Sequence, residues 1–251
     1  MPDVVRIEVS ERVATITLDA QHNRNALSKQ LLTELHQCLD TAHDESARAI
    51  VLRHEGPAFC AGADLKEQSD QPTDPSRFVT VLERLMDAPC PTIAAVDGAV
   101  RAGGIGLMAS CDLVVVNEAT TFALTEVRIG VAPAIISVPI LRRVPASKIA
   151  AAMLTGETFD APEARSMGLV THVSVDVAAT VEALTAGILA GAPRAVRETK
   201  QLLQSVPGTE RDAAFAEMGS LSAELFGSPE AAVGMAAFRE KQRPDWTTLD
   251  D

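Results

Sequence analysis

In this 251-residue chain the residue best suited to move a proton is Glu126, set in the otherwise apolar stretch Phe122–Arg128. A carboxyl group in apolar surroundings holds its proton to higher pH, which suits it to proton transfer near neutrality. A surface or helix-capping glutamate is the alternative reading. Two runs of small residues, Ala61-Gly62-Ala63-Asp64 and Ala102-Gly103-Gly104, stand where the chain leaves a strand and enters a helix. Backbone N–H groups are free at such points and open to close approach. Two of them aimed at one carbonyl oxygen make an oxyanion hole, each donor worth about 3–4 kcal/mol as charge develops. Ordinary turn glycines are the competing reading.

Several other chemistries can be set aside. Gly104-x-Gly106-x-x-Ala109 follows a strand and opens a helix, as a dinucleotide fingerprint does. The chain from Gly103 to the next apolar strand at Leu113 is too short for a crossover helix with its turns. The acidic residue expected about 20 positions on would also fall past that strand. No GxSxG elbow or P-loop occurs. Cys38, Cys60, Cys90 and Cys111 form no CxxC pair or Cys/His cluster, so no metal is expected. They read as buried free thiols of a reducing compartment. A net charge of −12, no Tyr and a single Trp leave no basic or stacking surface for nucleic acid. No apolar run approaches the roughly 18 residues of a membrane span. Residues 1–10 lack the basic start and apolar core of a signal peptide, so a cytoplasmic protein is expected.

The elements that must position these residues follow from periodicity. Residues 4–19 alternate as two strands around a turn at Ser10-Glu11-Arg12. Ser28 caps a helix whose apolar face is Leu31, Leu32, Leu35, Cys38, Leu39 and Ala42. Ala49–Leu52, Thr92–Val96 and Leu113–Val116 are short apolar strands, residues 59–64 a small-residue loop, 68–76 a surface loop, and 76–87 a helix. Beyond residue 145 helices near 147–154, 178–190, 194–205 and 210–226 are expected, and a last one opens at Ser228-Pro229-Glu230. Strand–helix alternation followed by helices indicates an α/β core with a C-terminal helical region.

The sequence also resembles the crotonase (enoyl-CoA hydratase/isomerase) family in motifs spread in order along nearly the whole chain. Phe59 through Lys66 is similar to the family's first oxyanion motif, and Pro91–Gly98 through Gly103-Gly104 to Cys111-Asp112 to its second. Asn25-Ala26-Leu27 matches an early signature, and Phe122-x-x-Thr125-Glu126-x-x-Ile129-Gly130-x-x-Pro133 an acidic motif. Leu154–Gly156 with Ala164 to Val170, and Gly234 to Lys241, match later helical segments. The resemblance implies a spiral, ClpP-like core of repeated β-β-α units over residues 1–190 and a helical oligomerisation region over 191–251. It implies that the N–H groups of Ala63 and Gly103 hold a thioester oxygen. It places Arg24, Ala26, Ala61, Asp64, Leu65, Lys66, Gly104, Pro133 and Ile135 along the coenzyme A and acyl groups, with Phe238 and Lys241 reaching in from the last helix, either this chain's or a neighbouring subunit's. An acyl-coenzyme A thioester is then the substrate, no prosthetic group is bound, and a homotrimer or dimer of trimers is expected. Arg24 and Lys66 also read as solvated surface charges.

Two departures bear on the chemistry. Hydratases of the family place a glutamate three residues after the oxyanion glycine, one helical turn on; this chain has Gly106 there, which offers no acid, base or hydrogen bond. Where the family has a glycine-rich turn, this chain reads Pro133-Ala134-Ile135-Ile136-Ser137, whose isoleucines would narrow and dry the acyl pocket and whose Ser137 would hold a water. Glu126 is then the single acid/base. The stretch around it is similar to methylglutaconyl-CoA-hydratase-like sequences, which favours hydration over isomerisation, with a catalytically silent acyl-CoA binder as the third reading. That similarity would make Arg128 a counter-ion for a carboxylated acyl group, against a salt-bridge role.

Overall fold

The computed structural model describes residues 3–70 and 74–246, without the side chains of residues 68–70. A hairpin, β1 (Val5–Ser10) and β2 (Val13–Leu18), turns through Glu11 and Arg12, both at positive φ. Helix α1 (Lys29–Asp44) follows, with Ser28 Oγ accepting from Leu31 N–H and the predicted apolar face buried. The next turn of chain supplies β3 (Ala49–His54), β4 (Ala58–Cys60), α2 (Leu65–Asp70) and α3 (Ser76–Met86). Then come β5 (Thr92–Val96), β6 (Ala99–Arg101) and α4 (Gly103–Ala109). The third turn gives β7 (Leu113–Asn117), β8 (Thr121–Ala123), α5 (Ala134–Arg143) and α6 (Ala146–Thr155).

After the β1–β2 hairpin, whose strands share a sheet, each repeat sends its first strand to one sheet and its second to another. The larger sheet runs β1-β2-β3-β5-β7 and is closed by β10 (His172–Ser174). The smaller one runs β4-β6-β8 and ends on β9 (Thr158–Asp160), after which α7 (Ala161–Met167) returns the chain to β10. Apart from the β1–β2 and β8–β9 pairs the neighbours are parallel. This is the spiral of β-β-α units that the motifs implied. The core lies between the sheets and their helices, with Phe59, Phe122, Ile105, Leu107 and Met108 fully buried.

The second sheet was not foreseen. Its strands are three residues long, too short for an alternating pattern to register, so Phe59 and Cys60 belong to β4 rather than to the expected loop. The expected surface loop at 68–76 is helical through Asp70, and residues 71–73 lie outside the described ones. Helix α5 and strand β10 are likewise additions, the latter inside a region expected to be helical.

Three long helices follow: α8 (Val177–Ala190), α9 (Pro193–Ser205) and α10 (Arg211–Phe226), then α11 (Pro229–Glu240), capped by Ser228 as expected. Helix α9 is tied to the core by Lys200, which is 5% exposed. Its ammonium pairs with Asp112 at 2.9 Å and donates to the carbonyls of Leu85 and Cys90. Asp112 also accepts from Thr92 N–H and Oγ1, so one carboxylate joins the starts of β5 and β7 to α9. By contrast α10 and α11 leave Phe215, Phe226 and Phe238 at least 70% exposed. Among the described residues no helix is long and apolar enough to cross a membrane. Lys200→Ala takes the cation from the half-buried Asp112 carboxylate, which keeps its two Thr92 donors, and is expected to cost about 2 kcal/mol, read as a lower urea midpoint; a change under about 0.5 kcal/mol, the scale of a surface substitution, would contradict this account.

Candidate active site

The three strands β4, β6 and β8 are parallel neighbours, so their C-terminal ends open on the same edge of the sheet. Each carries one predicted piece of chemistry within three residues of its end: Ala63 after Cys60, Gly103 after Arg101, and Glu126 after Ala123. Backbone hydrogen bonds lock these exits together. Ala61 N–H donates to Arg24 C=O, Leu27 N–H to Gly62 C=O at 2.8 Å, and Ala102 N–H to Ala123 C=O at 2.9 Å. Gly62, at φ +92°, brings the first loop hard against the second: a Cβ there would lie 2.9 Å from Ala102 Cβ and 3.6 Å from Gly103 N. Among the described hydrogen bonds the N–H groups of Ala63 and Gly103 have no protein acceptor.

Ala102 is a contributor that sequence reading missed. It adopts φ +47°, ψ −120°, a region that favours glycine. This kink turns the chain from β6 into α4 and sets the plane of the peptide that carries Gly103 N–H. No local signal marks such a position, because an alanine there breaks the rule that would have flagged it. Asn25 is another supporting residue. Fully buried, it accepts from Ala20 N–H and donates to the carbonyls of Glu55 and Ala58, holding the Arg24–Leu27 segment against β4.

Three positions at the start of α4 are packed too closely for side chains. A Cβ on Gly103 would lie 2.6 Å from Leu27 Cδ1, one on Gly104 2.7 Å from Cys60 Cβ, and one on Gly106 2.6 Å from Ile136 Cβ. The space beside Gly106 is therefore filled by α5. Gly104 itself is buried against Cys60. Glu126 opens a 3-10 turn, Glu126–Ile129, and is half-buried, with Oε2 shielded from solvent and unpartnered. Burial raises its pKa above the ordinary 4.5.

The other predicted residues divide. Ala26 is buried, Ala61, Asp64, Pro133 and Ile135 are half-buried, and Ala63, Arg24, Leu65 and Lys66 are exposed along the same rim. Asn23 Nδ2 donates to Asp64 Oδ2 at 3.1 Å, tying that rim together. Phe238 and Lys241 sit exposed at the end of α11, which packs on α10, so within one chain they are not brought to this edge. Arg128 is exposed and its Nε donates to Thr155 C=O at 3.0 Å. Ser137 Oγ donates to Ala134 C=O at 2.6 Å and is turned back onto its own helix. All four cysteines are free and buried, and burial pushes Cys60 and Cys111 up to about 12, which makes them inert.

Comparison with known proteins decides the ancestry. The family described as enoyl-CoA hydratase/isomerase matches residues 8–249. The chain belongs to the enoyl-CoA hydratase/isomerase family. Enoyl-CoA hydratase domain-containing protein 3 of Danio rerio, described as mitochondrial, is 32% identical across 95% of this chain and 86% of its own. A crystal structure of an enoyl-CoA hydratase from Mycobacterium smegmatis superposes with a TM-score of 0.91 at 34% identity, covering 98% of this chain and 100% of that one. An enoyl-CoA hydratase/isomerase from Marinobacter aquaeolei gives 0.90 at 27% identity over 98% and 99%.

Two outcomes are expected of this candidate site. Ala102→Gly relieves a positive-φ backbone and should raise stability by about 1 kcal/mol net of glycine's entropy cost, seen as a higher thermal midpoint; a lower midpoint would show that the kink is not strained. Because the folded pKa of Glu126 is raised, its contribution is complete below 4.5 and is lost as pH climbs through the folded value. Glu126→Gln cannot ionise, so its stability relative to the wild type should grow with pH across that window; urea titrations giving a pH-independent gap would refute the raised pKa.

Proposed function

We propose that this chain acts on an acyl-coenzyme A thioester, holding the oxygen of a thioester enolate with the N–H groups of Ala63 and Gly103 and moving protons with Glu126 alone. The observation that carries this reading is the convergence of three parallel strand ends, two bearing N–H groups without protein acceptors and the third a buried, unpartnered carboxyl oxygen. Donors preorganised where negative charge develops are the largest single source of rate in such reactions. A carboxyl whose pKa is raised by burial takes and returns a proton near neutral pH more readily than an ordinary one. The thioester is substrate, with no prosthetic group involved. Arg24 and Lys66 on the rim suit an anionic cofactor tail in an acidic protein. The exposed phenylalanines of α10 and α11 support assembly as a homotrimer or dimer of trimers, in which Phe238 and Lys241 reach a neighbour's rim, and we place the protein in the cytoplasm. The resemblance of the Glu126 stretch leans to hydration; the filled space beside Gly106 favours isomerisation.

The conjugated 2-enoyl thioester has its own ultraviolet absorbance, which separates the reactions. Loss of absorbance from 2-enoyl-CoA reports hydration, and gain from 3-enoyl-CoA reports isomerisation. Glu126→Gln should lower either rate by at least about 100-fold while leaving acyl-CoA affinity near that of the wild type. A wild type that binds these esters but turns over none of them would make the protein an acyl-CoA binder instead.

A further inference from the structure

We propose that Arg101 is a positioning residue of this site: by bridging β6 to β8 it holds Ala102 in its strained kink and so aims the Gly103 N–H at the thioester oxygen. The inference rests on Gly103 N–H being an oxyanion donor, as proposed above. Arg101 ends β6, one residue before the kink and two before the donor. Its Nη1 donates to the carbonyls of Val100 at 2.9 Å and Thr121 at 2.6 Å, and its Nη2 to Thr121 Oγ1 at 2.9 Å. One guanidinium therefore spans from β6 to the first residue of β8, the strand that leads to Glu126.

The ladder that this bridge reinforces is short. Its register pairs are Val100 with Phe122 and Arg101 with Ala123, and it ends on the bond from Ala102 N–H to Ala123 C=O. Ala102 sits at φ +47°, ψ −120°, which an alanine keeps only where its surroundings over-determine it. Beyond the kink the chain enters α4, whose first two glycines pack against Leu27 and Cys60. The kink is thus loaded between a fixed helix and a short strand, and slack in the strand would let it relax. Relaxation turns the plane of the Ala102–Gly103 peptide, and the N–H turns with it.

Stability alone is a poor account of a charge in this place. Arg101 is half-buried, and burial lowers the pKa of its guanidinium. A carboxylate would offset that desolvation, yet among the described residues its partners are neutral oxygens. What the guanidinium supplies is geometry: its planar fork reaches two oxygens in fixed directions, which a flexible ammonium cannot do.

Infrared difference spectra of bound butanoyl-CoA, isotope-labelled at the thioester carbonyl, read the donors directly, because N–H groups aimed at the oxygen lower its stretching frequency. On the wild type the ester should absorb at a lower frequency than it does free in water. Arg101→Met keeps the apolar stem and drops the fork. It should recover part of the free-ester frequency and lose about tenfold in kcat, with KM changed less than about threefold, because misaimed donors cost the transition state more than the bound ester. Arg101→Lys should behave like Arg101→Met. Adding Ala102→Gly to Arg101→Met should restore most of both losses, since glycine keeps the kink unaided. Thr121→Val withdraws one acceptor and should give a smaller shift in the same direction; it carries the test if Arg101→Met does not fold. Unchanged frequency and kcat in Arg101→Met, or in Thr121→Val where Arg101→Met does not fold, overturns the proposal. So does rescue by lysine without rescue by Ala102→Gly, which would make the charge of Arg101 rather than its hydrogen bonds the active feature. A wild type whose bound ester keeps the free frequency sinks the oxyanion reading instead.

Discussion

The first turn of α4 lies closer to its neighbours than any Cβ allows, and most of the site follows from that contact. Leu27, Cys60 and Ile136 approach it from three different elements, and each meets a glycine. Close approach on the β4 side brings the Ala63 loop beside Gly103. On the α5 side it leaves no room for a side chain at position 106. One packing decision thus sets the Ala63 and Gly103 loops side by side and closes the space beside Gly106, because a helix cannot shift toward one neighbour without leaving another.

Holding that helix in place requires ties at both ends, and they differ in kind. At its start the strained Ala102 peptide is pinned by Ala123 C=O, a local cost of about 1–3 kcal/mol that the surrounding sheet must offset. At its end the half-buried Arg143 guanidinium donates to the carbonyl of Ala109, one of those a helix C-terminus leaves orphaned, and to those of Cys111 and Asp112 just beyond. Asp112, just beyond, is satisfied in turn by Thr92 and Lys200. The core, the site and α9 are therefore linked through groups that depend on one another, whereas α10 and α11 bury little apolar surface and are tied to α9 through Arg194, which meets Glu224 and Glu230.

What could be read from the sequence follows the range of the signals. The amphipathic face of α1, the Ser28 and Ser228 caps and the strands at Ala49, Thr92 and Leu113 are encoded within a dozen residues, and they stand where periodicity put them. The small sheet is not encoded locally. β4, β6 and β8 are recognisable only through each other, since pairing rather than pattern makes them strands. The motif at Ala61–Asp64 and the glycines at 103 and 104 were visible as types and spacing, but their proximity depends on that hidden sheet. Gly106 was visible as an absence. What fills it, a residue thirty positions later on a helix that no periodicity announced, was not.

That distance explains why a single glycine substitution is a poor guide to lost function. A deleted glutamate in an unchanged frame would leave a hole beside the reacting carbons, lined by polar groups once satisfied by the carboxylate. In this chain no such hole exists, because Ile136 occupies the volume and α5 is fixed there by Arg143. Filling a cavity of this kind recovers packing free energy at about 24 cal/mol per Å³, so the two positions are coupled through stability whatever they do for catalysis. The isoleucine and the glycine constrain each other, and reversing either one alone leaves a void or a collision.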